Sequence, residues 1–290
     1  MSAPLRHILQ THFHRAQVPR DIQECDAVVV CFHGHTNSAR DASKWELHRL
    51  FPRKCCFLYL NAPRRYKPRG PSYEWFPYTR DEGVDGWTVD ESKLQTTESY
   101  MRTMNLQARR RDVLHAKELI VALYKALADM KKLVYFVGTS QGAAMAFTSA
   151  LHIMALPGVQ SRPFRGGFFH HMAGVYPSAF PQPLPASVSD RVIVTRSVED
   201  ADGRRSKRMK KKDLHGEWLK EEEALLKAHA KAALKQPPVS PATLCVVLSL
   251  HDHVVPIQLQ SLLSNTFAKH KKLLPGKASA GASAVASAAA

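Results

Sequence analysis

Leu133-Val134-Tyr135-Phe136-Val137-Gly138-Thr139-Ser140-Gln141-Gly142-Ala143-Ala144 is the stretch on which the reading of this chain turns. Its first five residues are apolar, with β-branched and aromatic members, which predicts a buried strand. A Gly follows at once, and an Ala/Met/Phe run continues to about Leu151 at helix-compatible spacing. The turn between strand and helix therefore holds Gly138-Thr139-Ser140-Gln141-Gly142, a Gly-x-Ser-x-Gly pattern in the context that gives it meaning. A sharp strand-to-helix turn exposes the Ser hydroxyl, and flanking glycines avoid side chains that would clash. The helix start also offers backbone N–H groups to an anion. Ser140 is thus the candidate nucleophile, with the amide of Gln141 as one oxyanion donor.

Outward from this point, short apolar runs alternate with longer helical periods. Val28–Phe32, Cys55–Leu60, Gly166–Val175, Val192–Thr195 and Leu244–Leu250 read as strands. Residues 107–130, 214–234 and 256–274 read as helices. Strands separated by helices of this length predict an α/β fold, its mostly parallel sheet covered on both faces. Residues 6–13 read as a first strand; alternatively, residues 1–20, with Arg6, Arg15 and Arg20 and no acid, resemble a mitochondrial presequence. The whole is expected to be a single domain over 1–275, with a basic insertion at about 198–213 and a disordered Ala/Ser tail at 276–290.

A second motif, Phe32-His33-Gly34-His35-Thr36-Asn37, follows the strand at 28–32. Glycine after a strand permits a tight turn whose next N–H, that of His35, points at a reaction centre. His33 and His35 also form a His-x-His pair, but no further ligand at metal spacing accompanies them, so no metal is expected.

With these pieces in place the sequence resembles the acyl-protein thioesterase and carboxylesterase family of α/β-hydrolases. The matching features are Phe32-His33-Gly34, Asn61-Ala62-Pro63, Tyr73-Glu74-Trp75-Phe76, Gly138–Ala143 and Ala173-Gly174-Val175-Tyr176-Pro177, in this order over roughly residues 5–275. The resemblance implies an α/β-hydrolase fold and a Ser-His-Asp hydrolase acting on esters or thioesters of acyl chains, with no cofactor.

The Ser needs a base, and the base an acid to hold its tautomer. Leu250-His251-Asp252-His253-Val254-Val255-Pro256 looks like the family's acid loop. With Asp252 as acid, however, the only later His is His270. A helix of about 18 residues would carry it more than about 20 Å away. In the better placement Asp200 is the acid, in the loop Arg196-Ser197-Val198-Glu199-Asp200, with Asp202 as its alternative. His253 is then the base, with His251 second. The family's usual His-Gly at the acid loop is Arg196-Ser197 here.

Residues 61–90 carry Tyr66, Tyr73, Trp75, Phe76, Tyr78 and Trp87. A long aromatic loop beside the Ser either walls an acyl pocket or packs the loop onto the sheet. The resemblance favours the pocket, with Trp75 and Phe76 near substrate.

Charge distinguishes this chain: 41 Lys and Arg against 25 Asp and Glu give a formal net charge of +16. Seven of the basic residues lie in 204–212 without an acid among them. Such a run fits a solvated loop, a nuclear-localisation-like patch, or contact with an acidic partner or membrane surface. Base stacking on nucleic acid is unsupported, because no aromatic interleaves it. The alternative function is therefore a catalytically weak hydrolase-fold protein that binds RNA or acidic lipid through this run. Five cysteines, an odd number with no Cys-x-x-Cys, fit reduced thiols and a cytoplasmic location, with mitochondrial or nuclear as weaker alternatives. No apolar run reaches membrane-spanning length.

Overall fold

The computed structural model describes residues 1–13, 16–19, 22–52, 54–66, 70–77, 110–170, 172, 179–181, 183, 185–197, 220–235 and 241–249. The strands are β1 (Ala27–Phe32), β2 (Cys55–Leu60), β3 (Arg64–Arg65), β4 (Tyr73–Glu74), β5 (Leu133–Thr139), β6 (Phe164–His170), β7 (Val192–Ser197) and β8 (Thr243–Ser249). The longer helices are α1 (Ala3–His12), α2 (Arg110–Asp129), α3 (Ser140–Met154) and α4 (Lys220–Lys235). Six strands form one sheet in the order β2-β1-β5-β6-β8-β7, and every neighbouring pair is parallel.

The strand pattern explains the layers. Every residue of β1 is buried, as expected for a strand covered on both sides. Successive side chains alternate between faces. Val28, Val30, Phe32, Val134 and Phe136 pack with residues of α1, α2 and α3. Val29, Cys31, Tyr135, Val137, Phe168, Cys245 and Val247 pack with Leu226, Ala230 and Ala233 of α4. The edge strand β2 alternates buried and half-buried residues along its length. On the α4 side a polar pin crosses the apolar layer. The Tyr135 hydroxyl lies 2.5 Å from His229 Nδ1, and the Thr243 hydroxyl 3.1 Å from His229 Nε2. Burial lowers the His229 pKa to about 4.

Two sequence expectations change. Residues 6–13 are not a strand but most of α1. Leu5, Leu9 and Phe13 recur every fourth residue and are all buried, and Ser2 caps the helix just ahead of a Pro in its first turn. Cys25 and Cys56 are joined in a disulfide with a Cα–Cα distance of 5.9 Å, so not all five cysteines are reduced thiols. The parallel register Val28↔Cys56 brings together residues 31 apart in sequence. Cys31, Cys55 and Cys245 are free. The last described strand in sequence, β8, lies between β6 and β7.

Helix 214–234 is observed as Lys220–Lys235. The basic run 204–212, the expected helix 256–274 and the tail 276–290 lie outside the described residues. Among the described residues no helix is long and apolar enough to cross a membrane.

Candidate active site

β5 runs directly into α3, and the junction has the geometry that the glycines foretold. Ser140 opens α3 with φ +52°, a left-handed conformation that costs an L-residue about 1–2 kcal/mol. It is partly exposed, whereas Gln141 to Leu151 behind it are all buried. The flanking glycines are steric necessities. A β-carbon on Gly142 would fall on the His33 carbonyl oxygen and within 2.6 Å of that of Phe32. One on Gly138 would stand 2.8 Å from Ala143 Cα. The helix start therefore presses on the end of β1, and this close approach sets Ser140 beside the loop after β1. A β-carbon on Gly34 would lie 3.3 Å from Ser140 Cβ.

That loop is held by side chains. His33 is fully buried. Its Nδ1 donates to the Gly34 carbonyl at 2.6 Å, and its Nε2 accepts from the Ala62 amide at 2.9 Å. Those two bonds fix the neutral Nδ1–H tautomer. Burial, only partly offset by the bond to Gly34, lowers the pKa to about 4. Both ring nitrogens are thus engaged, which removes His33 as a metal ligand. The His35 ring instead faces Glu74, with Nε2 3.4 Å from Oε2. Among the described residues no group of three His, Cys, Asp or Glu is arranged to hold a metal. Asn61 Oδ1 accepts from the Ala39 amide at 2.6 Å, so the segment Asn61-Ala62 fastens the loop after β1 from a second side.

Trp75 and Phe76, expected near substrate, have no accessible surface. Trp75 packs against Phe13 and Phe32, and its indole N–H donates to the His33 carbonyl at 2.8 Å. What they do visibly here is pack the 73–76 segment onto the sheet. The Gln141 side chain completes the attachment: its Oε1 accepts from the Trp75 amide, and its Nε2 donates to the Phe76 carbonyl, both at 2.9 Å. Sequence reasoning had used only the backbone of Gln141. It gave no signal for the side-chain bonds, whose partners lie 65 and 66 residues away. Glu74 enters the sequence reading only as a member of the Tyr73–Phe76 motif, without a role, yet it is buried and charged.

Asp200, Asp202, His251, Asp252, His253 and His270 lie outside the described residues, as do Tyr78 and Trp87. The strands that lead to them are described. β8, which precedes His251 to His253, is two places from β5, and β7, which precedes Asp200, is three places away.

No protein-family model matches this chain, and no curated protein matches it. Among solved structures it is similar to an esterase named PE8, at 16% identity and a TM-score of 0.44, over 89% of this chain and 97% of that one. It is similar to a Bacillus cereus carboxylesterase at 12% identity and a TM-score of 0.41, over 91% and 98% of the two chains. It is also similar to Zea mays acyl-protein thioesterase 2 at 15% identity and a TM-score of 0.41, over 88% and 98%.

Proposed function

We propose that this protein is a serine hydrolase of the α/β-hydrolase type that cleaves carboxylic esters or thioesters of acyl chains through an acyl-enzyme. The observation that carries the reading is Ser140, held at positive φ on a strand-to-helix turn, partly exposed, with glycines where neighbouring backbone leaves no room. Ser140 attacks the acyl carbonyl. His253 takes its proton, passes it to the leaving group and then activates water. Asp200 orients His253. The amide of Gln141, in the first turn of α3 where N–H groups lack partners within the helix, stabilises the oxyanion together with that of His35.

Both strands that lead to these residues stand on the same side of β5 in the sheet: β8, which precedes His253, is two places away, and β7, which precedes Asp200, is three. At about 4.8 Å per strand, β8 and β7 themselves lie about 10 and 14 Å across the sheet from β5. The basic run 204–212 is proposed as a secondary contact with an acidic surface.

A fluorophosphonate probe should label Ser140, and short-chain nitrophenyl esters should be turned over. Ser140→Ala should abolish labelling and lower kcat by several orders of magnitude. Folded protein that neither labels nor turns over would end the proposal. Alanine variants of Asp200, Asp202, Asp252, His251 and His253 then identify acid and base. His253→Ala and Asp200→Ala should be the most damaging.

A further inference from the structure

Glu74 is an ionised carboxylate that the fold has drawn inside. Its side chain is 8% exposed, and its carboxyl is held below the usual range. Burial opposes this, but hydrogen bonds from His35 and Arg64 outweigh the burial. One oxygen faces His35 Nε2 and the other Arg64 Nε, each at 3.4 Å. The Tyr66 ring meets the His35 ring edge-on, with centroids 5.0 Å apart. Burying a charge is costly unless it is paired, and a salt bridge in such a place is a weak source of stability. Its position points to another use.

The residues that follow reach the serine turn from the same short segment. The Trp75 amide and Phe76 carbonyl grip the Gln141 side chain, and the Trp75 indole grips the His33 carbonyl. The Tyr73 amide donates to the Asn37 carbonyl at 3.0 Å, at the far end of the His35 loop. Residues 73–76 therefore touch both loops that carry the proposed oxyanion donors, and Glu74 is the contact to His35 itself.

We infer that Glu74 is a positioning residue: through the His35 ring it fixes the His35 amide relative to that of Gln141, so that both donors meet one oxyanion. For its effect on catalysis this inference rests on the hydrolase reading above. The mechanical part, that Glu74 holds the loop 33–37, stands without it.

The test is Glu74→Gln in the full chain, which keeps the size and removes the charge. Hydrogen exchange of the 33–37 segment is expected to speed up severalfold, with exchange in the β5 core unchanged. Turnover of nitrophenyl butyrate should show kcat lowered roughly tenfold at nearly constant KM, because misplaced donors weaken the transition state more than the ground state. His35→Gln should do the same. The double variant should be no slower than the slower single one, because both remove a single contact. Unchanged exchange at 33–37 overturns the inference whether or not the protein is an esterase. Faster exchange with unchanged kcat, or multiplicative losses in the double variant, overturns it in an active enzyme. Wild-type protein without turnover removes the hydrolase reading, and exchange alone then decides whether Glu74 holds the loop.

Discussion

The loops after β1 and β5 leave neighbouring parallel strands at the same end of the sheet, yet different forces hold them. The β5 turn is fixed by exclusion. Gly138 and Gly142 sit where any side chain would collide with backbone, and Ser140 between them is held at positive φ. The β1 loop is fixed by attachment. His33, Asn61, Glu74 and Trp75 tie residues 33–39 to segments tens of residues away, and Thr36 is held at φ +62° within it. Exclusion is all-or-none. Attachment is distributed, titratable and can be loosened by degrees.

The largest effect should come from violating the exclusion. Gly142→Ala places a methyl on the His33 carbonyl oxygen. Overpacking against backbone should destabilise by about 3 kcal/mol or more. Thermal unfolding should show a fall in Tm of at least about 6 °C, and an unshifted Tm would deny the close approach. Next comes Gln141→Ala, which leaves the Trp75 amide and Phe76 carbonyl buried without their partner. The expected loss is about 2–3 kcal/mol by urea unfolding, and fluorophosphonate labelling of Ser140 should slow.

A change of pH should separate the two kinds of loop. The folded values of His33 and His229 lie near 4 against 6.5 for the free side chain. Between these values the unfolded chain binds protons that the folded chain excludes, so stability is complete above about 6.5 and falls as pH drops toward about 4. At pH 5 each histidine should have removed about 2 kcal/mol. Urea unfolding at pH 7 and pH 5 measures the sum, and His33→Gln should remove about half of that pH dependence. Gly34→Ala should have the smallest effect on stability, under about 1 kcal/mol. Its methyl meets Ser140 Cβ at 3.3 Å, a contact relieved by a shift of a few tenths of an ångström. That shift moves the nucleophile, so kcat should fall while Tm scarcely changes.

The same contrast explains what was legible. Strands at 28–32 and 133–137 are legible as apolar runs, because burial on both faces leaves no polar residue to obscure them, and 55–60 is equally apolar although one of its faces is only half-buried. The nucleophile turn is legible from its two glycines, which flank Ser140 within five residues of sequence. α1 was misread because Leu9 and Phe13 fit a short apolar run as readily as a helical repeat when the capping Ser2 and the Pro behind it are not weighed together. The Cys25–Cys56 pair was missed because only the register of β1 against β2 brings those residues together. Trp75 and Phe76 were recognised as important, but burial in the core rather than their aromatic character shows what they do here.

By itself the sequence determined the alternation of strands and helices, the parallel sheet and the position of Ser140, because each shows in a short run of residues or in the period of apolar ones. Tertiary structure alone decided that β8 lies inside β7, that His33 is a neutral strut and not a ligand, and that Glu74 and Gln141 bind the two loops together. Those are pairings across tens of residues. Only the register of the folded sheet selects which of many polar side chains meet.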